Sequence, residues 1–279
     1  MAGVLMAFQR YSSMLGFFKS PFIGFENFRF LFATTDAYVI TRNTVLYHFA
    51  YLLVGMLLAV AAALILSSLR SKRAAKTLQT LYMMPYFLSW TVVAAAVNAL
   101  ISQGGAVDLL LRTLNVVPFA DSWYMTKGFW PPFLIIISSW KNVGYSTVLY
   151  LAVISGISAE LYEAAMIDGA TKFQQAWRIT IPHLRFIITI SLIMSMGSIV
   201  RGDFGLHLAV PTASASDGNN GFIFPVIDII DTYIYRSLIK IGNVGMSAAA
   251  GLYQSAVGLV MVLLSNKLVN KIDPDSAMF

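Results

Sequence analysis

The residues best placed to do chemistry form one polar segment between two long apolar runs. The segment contains Glu163-Ala164-Ala165-Met166-Ile167-Asp168-Gly169-Ala170, which sets two carboxylates among small side chains. After the glycine come nine residues and then Ile179-Thr180-Ile181-Pro182. Small residues let another surface approach the backbone, and a glycine can end the first of two short helices. Two short helices joined at a glycine form a compact protrusion, and carboxylates on it can pair with an arginine of a partner protein. The pattern predicts a protein-docking loop; an ordinary solvated loop is the plainer alternative.

Residue types for catalysis are scarce. The chain has no cysteine, which excludes disulfides, thiolate metal sites and cysteine nucleophiles. His48, His183 and His207 lie far apart in the sequence and show no ligand spacing, so we expect no metal site. The sequence has no nucleophile elbow and no glycine-rich phosphate loop. We therefore expect neither a catalytic site nor an ATP site on this chain.

The rest of the chain has the composition of a membrane protein. It has 279 residues, of which 58% are hydrophobic and 11% charged, with a mean hydropathy of +0.72. Such a chain cannot present a water-soluble surface, so we predict an all-α polytopic membrane bundle. The net charge of +6 comes from scattered basic residues rather than a stripe with interleaved aromatics, so no nucleic acid is expected as a partner.

Five apolar runs predict five spans, at about 43–69, 78–102, 132–158, 184–200 and 244–265. Pro85 is expected to kink the second span. Arg70, Lys72, Arg73 and Lys76 form a dense basic cluster after the first span, which indicates a cytoplasmic loop. This orientation places the docking loop, at about 159–183, and the C-terminus on the cytoplasmic side. Residues 201–243 become a long outer segment, with a turn at Gly218-Asn219-Asn220-Gly221.

Five spans with the tail inside put the N-terminus outside. We therefore interpret residues 1–41 as an outer connector that follows a missing first span, and residues 42–279 as the transmembrane domain. Within the connector, Glu26 to Phe32 could form a short amphipathic helix on the bilayer surface or a plain loop.

The docking segment resembles the EAA loop of binding-protein-dependent ABC importer permeases. Glu163, Ala164, Ala165, Gly169, Ile179 and Pro182 stand at the motif positions, with Ile181 where leucine is usual. Other stretches are similar to the carbohydrate subgroup: Pro21 to Phe28, Pro85 to Trp90, Ile230 to Arg236, and Trp140-Lys141 with Gly144 and Leu149 to Ala152. The resemblance covers essentially the whole chain except a leading span, since the family would have six.

This resemblance implies a permease that imports oligosaccharides by alternating access in a bacterial cytoplasmic (inner) membrane. The docking loop, including Asp168, would seat in an ATPase subunit dimer. Other implied partners are a second homologous permease, an extracytoplasmic solute-binding protein, an oligosaccharide substrate and membrane lipid. No cofactor is expected on this chain, because ATP and Mg²⁺ would belong to the partner ATPase.

A substrate path is harder to place from sequence. Lys141 is the only formally charged residue in its apolar run, and such a residue is a functional candidate. It precedes Glu160 by 19 residues, or about 28 Å of helix, so it could equally be an anchor at the outer interface. Aromatic rings could stack on sugars or simply form interfacial belts and packing. The candidate path residues are Trp90, Asn98, Trp140, Lys141, Tyr145, Tyr150 and Asp203, with Tyr86 as a further ring.

The alternatives to an ABC importer permease are a secondary transporter and an integral-membrane enzyme. An ion-gradient-driven secondary transporter would have inverted repeats and buried carboxylates for coupling ions, and the predicted spans contain almost no acidic residues. An integral-membrane enzyme would need a recognisable arrangement of catalytic residues, and the sequence shows none.

Overall fold

A computed structural model describes residues 2–12, 14–29, 35–114, 123–214 and 221–272 of the chain. The described residues are mainly helical. Within these ranges no strand occurs, and the one β-bridge joins Gln9 to Phe22. The helices are α1 (Ala2–Ala7), α2 (Gly16–Lys19), α3 (Asp36–Ser68), α4 (Lys72–Met83), α5 (Trp90–Ile101), α6 (Ala106–Thr113), α7 (Trp130–Ser155), α8 (Ala159–Ile167), α9 (Lys172–Met196), α10 (Phe204–Thr212), α11 (Phe224–Ile227), α12 (Ile230–Ile239) and α13 (Val244–Ile272).

Four helical segments of the described chain are long and apolar enough to cross a membrane. They are Asp36–Ser68, Trp90–Leu110, Lys172–Met196 and Val244–Leu264. A fifth candidate is a pair of helices, Lys127–Ser155 and Ala159–Ile167, which are bent by 73° relative to each other. The all-α membrane bundle is thus confirmed, with four spans or five if the bent pair counts as one.

The chain forms two compact units, each with its own core. One unit comprises residues 1–49, 89–134 and 197–263, and its core includes Ile40, Ile230 and Tyr233. The other comprises residues 50–88, 135–196 and 264–279; there Ala59 and Ala63 of α3 pack with Leu184 and two residues of α7. Small alanines on α3 let the neighbouring helices approach closely, as is usual between membrane helices.

The prediction of a kinked second span, 78–102, is wrong. Helix α4 ends at Met83, a 3₁₀ turn covers Met84–Phe87, and α5 begins afresh at Trp90. Ser89 stands at the N-cap of α5, where its hydroxyl accepts a hydrogen bond from the amide of Val92 at 3.3 Å. A proline at the start of the turn and a capping serine at its end produce two separate helices rather than one bent helix. The candidate span therefore starts at Trp90, twelve residues later than predicted.

The segment predicted as a long outer loop is largely helical where the structure describes it. Helix α10 packs on α5, and a Cβ added to Gly205 would lie 2.4 Å from Cδ1 of Trp90. Asp231 accepts a hydrogen bond from the amide of Gly202 at 2.8 Å, which ties α12 to the start of this segment. The turn predicted at 218–221 lies outside the described residues except for Gly221.

The N-terminal connector folds locally and is held by one side chain. Asn27 Nδ2 donates to the carbonyl oxygens of Ala7 at 3.0 Å and Gln9 at 2.9 Å. Phe8 packs within 6.2 Å of three other phenylalanine rings of the connector. Of the predicted amphipathic helix, the described part is a single 3₁₀ turn, Glu26–Phe28; residues 30–32 lie outside the described ranges.

Candidate functional site

The docking loop between α7 and α9 starts with a capped helix. Ser158 precedes α8, and its hydroxyl accepts a hydrogen bond from the amide of Glu160 at 3.3 Å. Glu160 and Glu163 are both exposed. A carboxylate in the first turn is favourable because the helix N-terminus carries partial positive charge. Helix α8 is therefore stabilised locally, without a buried residue of its own.

The end of α8 is made by a glycine. Gly169 has φ of +76°, and a Cβ there would meet nothing within 4 Å. The amide of Gly169 donates to the carbonyl of Met166 at 3.1 Å, and the amide of Ala170 donates to that of Ala165 at 2.8 Å. This pair of hydrogen bonds is a Schellman motif, in which a left-handed residue satisfies the last carbonyls of a helix. The predicted role of Gly169 in ending the first helix is confirmed.

The second helix starts two residues later with a capping box. The Thr171 hydroxyl accepts from the amide of Gln174 at 3.3 Å, and Oε1 of Gln174 accepts from the amide of Thr171 at 2.7 Å. Gln175 is buried, and its Nε2 donates to the carbonyl of Ala170 at 3.0 Å. Both caps use only residues of the loop, so the turn between the helices is specified by its own sequence.

The second helix continues directly into the membrane. Residues Ala176–Thr180 form a π-helical turn, after which the helix runs to Met196. Tyr162 of α8 and Thr180 share a hydrogen bond of 2.9 Å between their hydroxyl oxygens. The loop is thus an extension of a span on one side, and the hydroxyl pair fastens α8 to that extension.

The loop exposes large apolar side chains, which sequence reasoning missed. The exposed fractions are 88% for Ile167, 76% for Phe173 and 64% for Trp177, and the rings of Phe173 and Trp177 stack 6.3 Å apart. Glu163 and Asp168 are also exposed. Exposed apolar side chains close in sequence to exposed charges are typical of a docking surface, in which aromatic anchors supply most of the binding energy. The signal was present in the sequence, since Ile167, Phe173 and Trp177 each stand beside a polar or charged residue.

Three of the candidate path residues lie together beside the helix break. Lys141 is buried, and its Nζ donates to the carbonyl of Tyr86 at 2.6 Å. The rings of Tyr86 and Tyr145 stack 4.5 Å apart with an interplanar angle of 9°. Trp140 is 45% exposed and lines an apolar groove. The ammonium of Lys141 thus donates to a backbone carbonyl near the end of the Met84–Phe87 turn, and its role as an interface anchor or a path residue stays a prediction.

The remaining candidates are dispersed. Trp90 packs against Gly205, and Oδ1 of Asp203 caps α10 by accepting from the amide of Leu206 at 3.2 Å. Asn98 has its side-chain oxygen buried without a hydrogen-bond partner. Tyr150 is 3% exposed and belongs to the core formed with α3. Whether any of these residues lines a substrate path stays a prediction.

The described residues form a helical membrane bundle that carries a loop of two capped helices joined at Gly169. Residues 52–274 match the family described as "Binding-protein-dependent transport system inner membrane component". The chain belongs to this family. It is a multi-pass inner-membrane permease and not itself an enzyme.

Individual relatives cover nearly all of the chain. It is 32% identical to Protein LplB of Bacillus subtilis (strain 168), over 99% of this chain and 84% of the relative. It is 30% identical to the polygalacturonan/rhamnogalacturonan transport system permease protein YteP of the same organism, over 97% and 82%. A crystal structure of a bacterial ABC transporter involved in the import of the acidic polysaccharide alginate matches with a TM-score of 0.83 and 28% identity, over 97% of this chain and 88% of that chain. The alginate transporter has also been solved in complex with an alginate pentasaccharide-bound periplasmic protein, with a TM-score of 0.80.

Proposed function

We propose that this chain is the permease subunit of an ATP-driven importer that takes up oligosaccharides, and that its docking loop couples it to an ATPase. The observation that carries the proposal is the loop itself: two capped helices joined at Gly169, exposing Ile167, Phe173 and Trp177 beside carboxylates. Such a rigid knob loses little conformational freedom on binding. Family membership supports transport that depends on a binding protein, and likeness to a bacterial ABC transporter supports an ATPase partner.

In this proposal the apolar side chains fill the ATPase cleft, and Glu163 or Asp168 pairs with a basic residue of its rim. ATP and Mg²⁺ are held by the ATPase dimer and not by this chain. The Tyr162–Thr180 hydrogen bond fastens α8 to α9, so that the two loop helices move as one body. A second homologous permease completes the translocation path, which opens alternately to the two sides of the membrane, and the loop and C-terminus face the cytoplasm.

An oligosaccharide is the substrate that the relatives favour. The names of YteP and of the alginate importer both refer to polysaccharides, and the alginate transporter is seen with a saccharide-loaded periplasmic protein. The Tyr86–Tyr145 pair offers partly exposed aromatic surface, with 36% and 56% of these residues accessible. Aromatic rings suit the apolar faces of sugar rings. A solute-binding protein would deliver the saccharide from the outer side.

The loop can be tested with a matched pair of glycine variants. We expect Gly169→Val to reduce substrate-stimulated ATP hydrolysis and uptake by at least about tenfold in the reconstituted complex, because a β-branched residue cannot hold the left-handed conformation and the knob is rebuilt. Gly24→Val is the control: this glycine also has a positive φ, +61°, with nothing within 4 Å, but it lies in the connector. Uptake should be close to normal in that variant.

A second pair tests the carboxylate and the apolar anchor. Glu163→Gln and Ile167→Asp should both weaken co-purification with the ATPase while membrane insertion stays normal. Glu26→Gln is the control, because that exposed carboxylate pairs with Arg10 at the surface, where an ion pair contributes little. Normal coupling in Gly169→Val, Glu163→Gln and Ile167→Asp together would refute the proposal. Identification of the chains that co-purify in mild detergent tests the partners directly.

A further inference from the structure

The break between α4 and α5 is held from the side by one face of α7. Lys141 is 7% exposed, its Nζ lies 2.6 Å from the carbonyl oxygen of Tyr86, and it sits 5.2 Å from the centre of that ring. The last carbonyls of a helical segment lack partners within the helix, and a cation there is favourable both as a donor and through the helix dipole. The ammonium of Lys141 therefore donates a hydrogen bond to the carbonyl of Tyr86, near the end of the Met84–Phe87 turn.

A second contact lies one turn further along the same face of α7. A Cβ added to Gly144 would fall 2.0 Å from the carbonyl oxygen of Tyr82 and 2.3 Å from its carbonyl carbon. Only a glycine permits this backbone-to-backbone approach. With Tyr145 stacked on Tyr86 at 4.5 Å, residues 141–145 contact residues 82–86 through a charge, a backbone surface and a ring.

These contacts join the break to the helix that enters the docking loop. Helix α7 ends at Ser155, and α8 begins at Ala159 after a bend of 73°. Lys141 lies 14 residues before the end of α7 (155 − 141), or about 21 Å along its axis. The chain passes from one compact unit to the other between Leu88 and Ser89, immediately after the segment that α7 holds.

We propose that Lys141 is a positioning residue that fixes the 82–86 segment to α7, so that displacement of the docking loop moves residues 82–86 together with α7 as one rigid body. This inference rests on the proposed function and adds a transmission step to it. The ammonium secures the contact, Gly144 allows it to be close, and Tyr145 sets its orientation. Loss of the charge leaves the loop able to dock but lets the break move independently of α7.

Coupling in the full reconstituted complex provides the first test. Lys141→Met keeps the aliphatic stem and removes the charge, Lys141→Arg keeps the charge, and Lys19→Met removes an exposed lysine of the N-terminal connector as a control. We expect the number of saccharides imported per ATP hydrolysed to fall by roughly tenfold in Lys141→Met, the scale of a lost charged hydrogen bond. Lys141→Arg should recover part of the loss, and Lys19→Met should match the unmodified chain.

A distance measurement separates positioning from simple stabilisation. Because the chain has no cysteine, spin labels can be attached at Phe87→Cys and Ile136→Cys, whose native side chains are 74% and 62% exposed. The distance should be narrowly distributed and unchanged between the nucleotide-free and ATP-trapped complex, and it should broaden in Lys141→Met. A distance that changes between the two states of the unmodified junction overturns the inference, even if Lys141→Met fails to insert.

The outcomes also separate this inference from the proposed function. If saccharide-loaded binding protein does not stimulate ATP hydrolysis in the unmodified complex, the proposed function fails. If stimulation is present and Lys141→Met couples normally with a narrow distance distribution, only the role of Lys141 is wrong.

Discussion

Replacing Gly144 by alanine should destabilise the bundle strongly, although the change adds a single methyl group to a helix. That methyl would lie 2.0 Å from the carbonyl oxygen of Tyr82, more than 1 Å inside the normal contact distance. The obstacle is backbone, so α7 and α4 must separate. Overpacking of this kind costs about 1–3 kcal/mol, and loss of the Lys141 hydrogen bond to Tyr86 adds about 1.5–3 kcal/mol. The better helix propensity of alanine returns about 1 kcal/mol, leaving a net loss of about 1.5–5 kcal/mol.

Gly55→Ala is the matched control for this prediction. Gly55 also lies inside a long helix, α3, but a Cβ there would meet nothing within 4 Å. The same chemical change should therefore be neutral or stabilising by up to about 1 kcal/mol. Unfolding of the purified protein in mixed micelles, followed by helical circular dichroism against denaturing detergent, gives both values. The reasoning is refuted if Gly144→Ala is as stable as the unmodified chain, or if Gly55→Ala loses as much stability as Gly144→Ala.

Three further predictions concern the other unit. Arg236→Ala should cost about 3–5 kcal/mol, because Asp228 is 5% exposed and loses the guanidinium whose Nη1 lies 2.7 Å from its Oδ1; Arg236→Lys should cost less in the same unfolding assay. Burial lowers the pKa of His207, which lies outside the candidate spans, to about 4 from 6.5, so the unfolded chain binds the proton first and stability should fall as the pH drops from about 6.5 to about 4. His207→Gln should flatten this dependence of the thermal midpoint; equal slopes would contradict it. Asn27→Ala should expose the connector to limited proteolysis without changing unfolding of the remaining bundle, since its amide holds the carbonyls of Ala7 and Gln9; an unchanged cleavage rate would show that the connector is held otherwise.

The docking loop was predictable because its structure is made by neighbours in sequence. Gly169 ends α8 because its own amide and that of Ala170 donate to carbonyls three and five residues earlier, and the Thr171–Gln174 capping box closes over three residues. Signals of this range can be read from types and spacing alone. The apolar runs likewise predicted most of the spans. The second candidate span, however, begins at Trp90, twelve residues after its predicted start, and the helix of the fourth begins at Lys172, twelve residues before its predicted start.

What sequence reasoning missed depends on contacts between distant residues. Lys141 and Tyr86 are 55 positions apart, so nothing local shows that a lysine in one span completes the backbone of another. The helices between 201 and 243 are short, and they are fixed by burial of Leu206 and Ile230 rather than by periodicity. The break at Pro85 had a local signal that went unused, since Ser89 before Trp90 is an N-cap pattern.

Because α9 is one continuous helix, the nine residues between Gly169 and Ile179 connect the turn of the loop directly to a candidate span. These residues carry the turn, the capping box and most of the π-helical turn, and the same helix then runs on to Met196. Each helical residue advances the chain by about 100° of rotation. One residue inserted here would swing every side chain of the span beyond it through more than a quarter of a revolution. The number of residues between Gly169 and Ile179 thus sets the rotation of the span relative to the loop. Any protein that holds the loop in one orientation would therefore also determine which face of this 25-residue helix points inward.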